Sequence, residues 1–237
     1  MLGNVVRRSI HLRKSHAANF STFHYQELFD LAPDEKTVYR KLTGNHVSTI
    51  EANGLKFLKV EPEALRLITA QAMIDIAHLL RPAHLQQLSN ILKDVESTDN
   101  DKFVALELLK NANIASNFIL PGCQDTGTAI ISGKRGQHVL TDGNDESHIS
   151  RGVYDTYTGT NLRYSQVAPL DMFNEANTKT NLPAQIDLYA TAGSKYEFLF
   201  IAKGGGSANK TFLYQQTKAL LNETSLMKFL EDNIKTM

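Results

Sequence analysis

Cysteine is almost missing from this chain: among 237 residues there is one, Cys123. A lone cysteine excludes an internal disulfide framework and fits a reducing compartment. Net charge is missing too, since 25 Lys and Arg balance 25 Asp and Glu. No global field therefore draws the chain to nucleic acid or an anionic membrane, and any anion binding must be local. The apolar runs are too short for a membrane span, and none of seven or more residues follows the first arginines as a secretory signal requires. The eight histidines, His11, His16, His24, His46, His78, His84, His138 and His148, show no HExxH or other close metal spacing. A zinc site is not expected, and they read as leader, surface or hydrogen-bonded core residues.

Acid is absent from the first 26 residues, where Arg7, Arg8, Arg13 and Lys14 alternate with Ser9, Ser15, Ser21 and the apolar Leu2, Val5, Val6, Ile10 and Leu12. That is the composition of a mitochondrial transit peptide over residues 1–25, with processing between about Ser15 and Tyr25. The competing reading is a disordered basic N-terminus. With 237 residues, 42% of them hydrophobic, the chain can bury a real core as one large domain or two small ones.

Val47 to Val60 reads as two short strands turned at Asn53-Gly54, the dipeptide that suits a type I′ turn. From Glu61 the period changes. Pro62 suits a first helical turn, and Leu65, Ile68, Ala72, Ile76 and Leu79 recur at helical spacing up to Arg81-Pro82. Pro82 opens a second helix carrying Leu85, Leu88 and Leu92, and Asp99 is expected to cap a third carrying Phe103, Leu106 and Leu109. Phe118-Ile119-Leu120 leads into a polar turn, and Thr128 to Ser132 leaves it as a short strand ending at Gly133-Lys134-Arg135-Gly136. Asp145 is expected to cap a helix with Ile149, Val153 and Tyr157 on one face, and Arg163 follows its end. Gln185 to Ala192 and Tyr196 to Ala202 alternate about Gly193 in the pattern of an antiparallel hairpin, and helices are expected around Phe212 to Leu221 and Leu226 to Ile234. A regular βαβ alternation is missing. The fold class expected is therefore α+β: an N-terminal helical bundle, then a mixed or antiparallel sheet with flanking helices.

Cys123 lies in Pro121-Gly122-Cys123-Gln124-Asp125-Thr126-Gly127-Thr128. An isolated cysteine is most often an inert core thiol, because free Cys is among the most buried residue types. Here a carboxylate, an amide and two hydroxyls surround it, and Pro121, Gly122 and Gly127 shape a turn whose backbone N–H groups can reach an anion. Such company indicates a chemical site. Downstream, Lys203-Gly204-Gly205-Gly206-Ser207-Ala208-Asn209-Lys210 places glycines after an apolar strand, where amides form an anion nest. Read against the nucleotide template G-x-x-x-x-G-K-S/T, one glycine is replaced by Asn209, and no second apolar strand ends in an acid to hold magnesium. Arg163, in Asn161-Leu162-Arg163-Tyr164-Ser165, offers a planar fork to a carboxylate, though by charge pattern alone such a residue is more often a surface arginine or one capping a helix end.

Taken together, the cysteine turn, the Arg163 segment, Asn181-Leu182-Pro183-Ala184-Gln185 and the glycine loop resemble the N-terminal part of class I fumarate hydratases, from about Phe23 to Met237. L-tartrate dehydratase alpha chains are near relatives. The resemblance implies a 4Fe-4S cluster with Cys123 as one of three cysteine ligands. It also implies substrate contacts by Gln124, Asp125, Arg163 and the backbone of Gly206, with Asp125 as the candidate acid/base group. A small dicarboxylate is the implied substrate, hydrated reversibly between fumarate and (S)-malate, in mitochondria. Two further cluster cysteines, a substrate histidine, more arginines and the proposed base lie, in that family, beyond the segment that ends here at Met237. Residues 26–237 are accordingly expected to be an N-terminal hydro-lyase domain, inactive alone, from a homodimer when complete or with a partner chain supplying the C-terminal half. The alternatives are an L-tartrate dehydratase alpha-type hydro-lyase, or a non-catalytic interaction module that keeps the fold. No nucleic-acid or membrane partner is expected.

Overall fold

The computed structural model describes residues 23, 38–206 and 211–236. The proposed leader apart from Phe23, and residues 207–210 at the end of the glycine loop, therefore lie outside the described residues.

The first elements are the expected hairpin: β1 (Val47–Ala52) pairs antiparallel with β2 (Leu55–Val60). Asn53 and Gly54 take the left-handed conformation, with φ of 51° and 75°, as a type I′ turn requires. β2 also pairs in parallel with the two-residue β4 (Val139–Leu140), which ties the hairpin to the body of the fold. Helices α1 (Pro62–His78), α2 (Pro82–Ile91) and α3 (Asp99–Ala115) follow, α1 and α2 each beginning with a proline in the first turn. Thr98, not Asp99, is the cap of α3. Its hydroxyl accepts from the Asp101 amide, and the Asp101 carboxylate accepts in return from the Thr98 amide, a reciprocal box that satisfies two otherwise orphaned donors.

Helix α1 packs chiefly against α4 (Asp145–Gly159), and α2 against α3. On α1 the buried stripe is Leu65, Thr69 and Met73, whereas the expected Ile68 and Ile76 lie on a second, partly exposed side. On α4 the expected face is buried as a unit: Ile149 and Val153 are fully enclosed and Tyr157 nearly so. Each such side chain contributes about 1.5–3 kcal/mol through lost contact with water. Gly152 lets the two helices touch. A Cβ there would stand 2.5 Å from the Arg66 carbonyl oxygen and 2.7 Å from the Thr69 Cβ. Arg66 locks the same seam by pairing with Glu63 at 2.5 Å and Asp155 at 2.6 Å. The α4 cap is also displaced from expectation, Asn144 preceding the helix and Asp145 lying within its first turn. Asp145 is buried, where its carboxylate accepts from the Tyr196 hydroxyl at 2.8 Å and pairs with Arg135 at 3.2 Å.

The main sheet departs most from expectation. β3 (Thr128–Gly136) is longer than the short strand expected and runs between β7 (Gln185–Thr191), parallel to it, and β8 (Tyr196–Lys203), antiparallel to it. The order is β7-β3-β8, so the expected hairpin about Gly193 does not form. Its two strands are neighbours in sequence, but β3 takes the hydrogen-bonding edge of each. The central position suits β3, whose Ala129 and Ile131 are fully buried. On β8, Tyr196, Phe198, Phe200 and Ala202 pack on the core while Leu199 and Ile201 are exposed on the other face. A two-stranded ribbon, β5 (Val167–Pro169) with β6 (Glu175–Asn177), carries the chain from Arg163 towards β7. The expected helix over Phe212 to Leu221 is only a 3-10 turn at Lys218–Leu220, and α5 (Glu223–Thr236) realises the last one. This is an α+β fold. Lys41–Met237 fall in one compact unit.

Candidate active site

The cysteine turn joins α3 to β3 and is pinned from several sides. The Gly122 amide donates to the Ala77 carbonyl at 2.9 Å, at the end of α1, and its carbonyl accepts from the Asn111 side chain of α3 at 2.6 Å. Just beyond, the Tyr157 hydroxyl of α4 donates to the Thr126 carbonyl at 2.7 Å. Burial raises the Tyr157 pKa to about 12, so the phenol remains a donor. The turn thus hangs from three helices. Held this way Cys123 is exposed, which discards the inert core thiol, and the Asp125 amide donates to its sulfur at 3.4 Å. The sulfur thus has a backbone donor of the kind that orients a ligating group.

The glycine loop meets this turn at the end of β8. The Gly205 and Gly206 amides donate to the two carboxylate oxygens of Asp125, at 2.9 and 3.1 Å. The anion nest read from the glycines is present, and the anion it holds is a side chain of the same protein. The Gly205 and then the Gly206 amide hold the Asp125 carboxyl below the usual carboxylate range, opposed by partial burial and aided by the charges of Arg163 and Lys203. Because the folded pKa is lowered, this contact contributes stability above the ordinary carboxylate pKa and loses it as pH falls through the depressed value. At neutral pH Asp125 is ionised, so it can accept a proton but has none to donate.

Cys123, Asp125, Thr126, Asn111 and Tyr157 line a cavity of about 220 Å³, bordered by the end of α1 with its buried His78. Gln124 is exposed on the same turn. Arg163 lines a neighbouring, wider depression of about 670 Å³ with Asn161, Tyr164, Asn177 and Lys179. Cys123, Asp125 and Gly206 are therefore gathered at one place, and Arg163 stands beside it with its charge felt at Asp125. Among the described residues no three His, Cys, Asp or Glu side chains cluster as a metal site.

Sequence reasoning missed the residues that hold these parts together. The Thr126 hydroxyl donates to the Arg163 carbonyl, and the Thr128 hydroxyl donates to the Gln166 side chain at 3.1 Å. Asn181 is fully buried. Its side-chain oxygen accepts from the Ser165 and Gln166 amides at 2.8 and 3.1 Å, while its side-chain nitrogen donates to the Gly127 carbonyl at 2.9 Å. Asn181 was visible as part of a motif, but which groups it joins depends on segments distant in sequence.

Residues 67–237 match a family model described as fumarate hydratase (Fumerase). The aerobic class I fumarate hydratase of Escherichia coli (strain K12) is 58% identical over 215 residues, covering 91% of this chain and 39% of that protein. The anaerobic class I enzyme of the same strain is 56% identical over 215 residues, with the same coverage. Fumarate hydratase 1, mitochondrial, of Leishmania major is 55% identical over 214 residues, 90% of this chain and 39% of that protein. The chain thus spans 39% of the length of these relatives. With residues 67–237 inside the family match, the chain belongs to the fumarate hydratase family.

Proposed function

We propose that this chain is the N-terminal portion of a class I hydro-lyase that interconverts fumarate and (S)-malate, with residues 26–237 as its domain and Cys123 as one ligand of a 4Fe-4S cluster. The observation that carries the reading is the exposed Cys123 sulfur in one cavity with an ionised Asp125, beside the glycine amides and the charge of Arg163. The residues present fit one corner of a cluster: an accessible thiol accepting a backbone N–H. They do not fit a whole one, because a single cysteine cannot supply three thiolates, and the other ligands would come from polypeptide outside this chain. When bound, such a cluster supplies a Lewis-acidic iron. The roles left to this chain are polar. Arg163 and the Gly206 amide would hold the substrate's carboxylates and oppose the charge that builds when a carbon-bound proton is removed. The Gln124 amide would orient the substrate, and Asp125, ionised, would accept a hydrogen bond or a proton from the hydroxyl that is added or lost. Residues 1–25 would be a mitochondrial leader, a reading supported by their composition and by one relative whose name includes that compartment.

The test is anaerobic reconstitution of the complete polypeptide with iron and sulfide, followed by fumarate hydration. A stoichiometric cluster and turnover are expected there, and neither from the 237-residue chain alone. Turnover by an iron-free preparation would overturn the reading. In the same assay Arg163→Lys should lower kcat/KM by about tenfold or more, because an ammonium keeps the charge and loses the two-pronged geometry. Unchanged kinetics would make Arg163 an ordinary surface residue.

A further inference from the structure

We propose that Asn181 is the positioning residue that sets the Arg163 segment against the cysteine turn. It rests on geometry alone; only its catalytic consequence rests on the hydratase reading. The cysteine turn and the Arg163 segment belong to different parts of the chain and share no strand pairing. The Asn181 side chain reaches both: it accepts from the amides of Ser165 and Gln166, just after Arg163, and donates to the carbonyl of Gly127, just after Asp125. Asn suits the task for two reasons. Its amide is a donor and an acceptor at fixed separation, so a single planar group can bridge a carbonyl on one segment and amides on another. It also tolerates the left-handed backbone found here, with φ of 56°. Full burial makes the bridge stiff, since each of its polar atoms would otherwise face a dry interior. The Thr126 hydroxyl, bonded to the Arg163 carbonyl, repeats the link one residue away. The arrangement fixes the backbone that carries Arg163 relative to the backbone that carries Asp125, with no contact to any ligand.

Two variants separate this role from simple structural support. Asn181→Gly keeps the left-handed backbone and removes the bridge. Asn181→Asp is isosteric, keeps the acceptor for Ser165 and Gln166, and puts an oxygen against the Gly127 carbonyl. Amide exchange read residue by residue by NMR on the 237-residue chain is the measurement. In Asn181→Gly the Ser165 and Gln166 amides should exchange at least about tenfold faster, together with Asp125, Gly205 and Gly206, while the α1 and α4 amides keep their protection. In Asn181→Asp, Ser165 and Gln166 should stay protected while the cysteine-turn and glycine amides accelerate. In the complete enzyme, Asn181→Gly should raise the KM for fumarate about tenfold and change kcat less. Uniform loss of protection, unchanged protection at Ser165 and Gln166 in Asn181→Gly, or failure of both variants to fold would overturn the proposal. So would unaltered kinetics in an active complete enzyme. The two-site exchange pattern in a protein whose complete form lacks hydratase activity would keep the bridge and discard the function.

Discussion

Cys123→Ser in the complete enzyme is expected to reduce cluster content and fumarate hydration together to background. Serine preserves the shape of the turn and can still accept the Asp125 amide, but its hydroxyl is not ionised at neutral pH and is a poor ligand for iron beside a thiolate. Because Cys123 is exposed and makes no packing contribution to the core, the folded state should hardly notice, with stability within about 0.5 kcal/mol of the parent. That contrast is the informative part. Iron and sulfide analysis and a hydration assay should fail while the denaturant midpoint stays in place. A Cys123→Ser protein with a full cluster and normal turnover would remove Cys123 from the site altogether.

Gly127→Ala should do the opposite and damage the scaffold. Gly127 has a φ of 57°, and a Cβ there would lie 1.7 Å from the Lys203 carbonyl oxygen, 2.3 Å from its carbonyl carbon and 2.8 Å from the Gly204 nitrogen. These are backbone atoms and cannot swing aside. Left-handed geometry costs an alanine about 1–2 kcal/mol, and forced separation of packed backbone adds a further penalty of about 1–3 kcal/mol. Denaturant unfolding of the chain should therefore show a loss of about 2–5 kcal/mol, its upper end exceptional for one methyl group. The break falls where β3 and β8 begin their pairing, at Thr128 and Lys203, and one residue from the glycine that starts the nest. In the complete enzyme activity should fall with it, since the Gly205 and Gly206 amides would no longer reach Asp125. A variant of parental stability would mean that the two strand ends are not in contact in solution.

Local chemistry was legible in the sequence and long-range partnership was not. Asn53-Gly54 specified its own turn, and the four-residue spacing of Ile149, Val153 and Tyr157 identified the buried face of α4, because both signals act within a few residues. Cys123 and Asp125 could be singled out because a thiol and a carboxylate stood among turn-forming neighbours, whereas Arg163 and Gly206 were picked out by the family resemblance. The alternation of β7 and β8 was read correctly as strand, yet alternation does not name a partner, and β3 displaced the hairpin. The apolar Phe212 to Leu221 run looked helical but winds only briefly, its Leu213 and Leu221 exposed. The glycine loop was recognised as a nest, while its occupant lay some eighty positions upstream. Asn181 was missed as a bridge for the same reason: its polarity is plain, and its three partners are assembled only by the fold.

A central strand whose two neighbours are both encoded later has a bearing on how the protein comes into being. During synthesis β3 leaves the ribosome with no sheet to join, and neither β7 nor β8 can be offered to it until more than forty further residues have followed. The loop-closure entropy of those pairings must be met before any hydrogen bond rewards it, so the sheet is a slow, late event compared with the turns of α1 and α4. The Asp125 carboxylate has no glycine amides to grip until residue 206 has emerged, and the Cys123 thiol waits in the same unfinished turn. For that interval neither the nest nor the turn that presents the sulfur is complete, so the site is among the last parts of the chain to take shape.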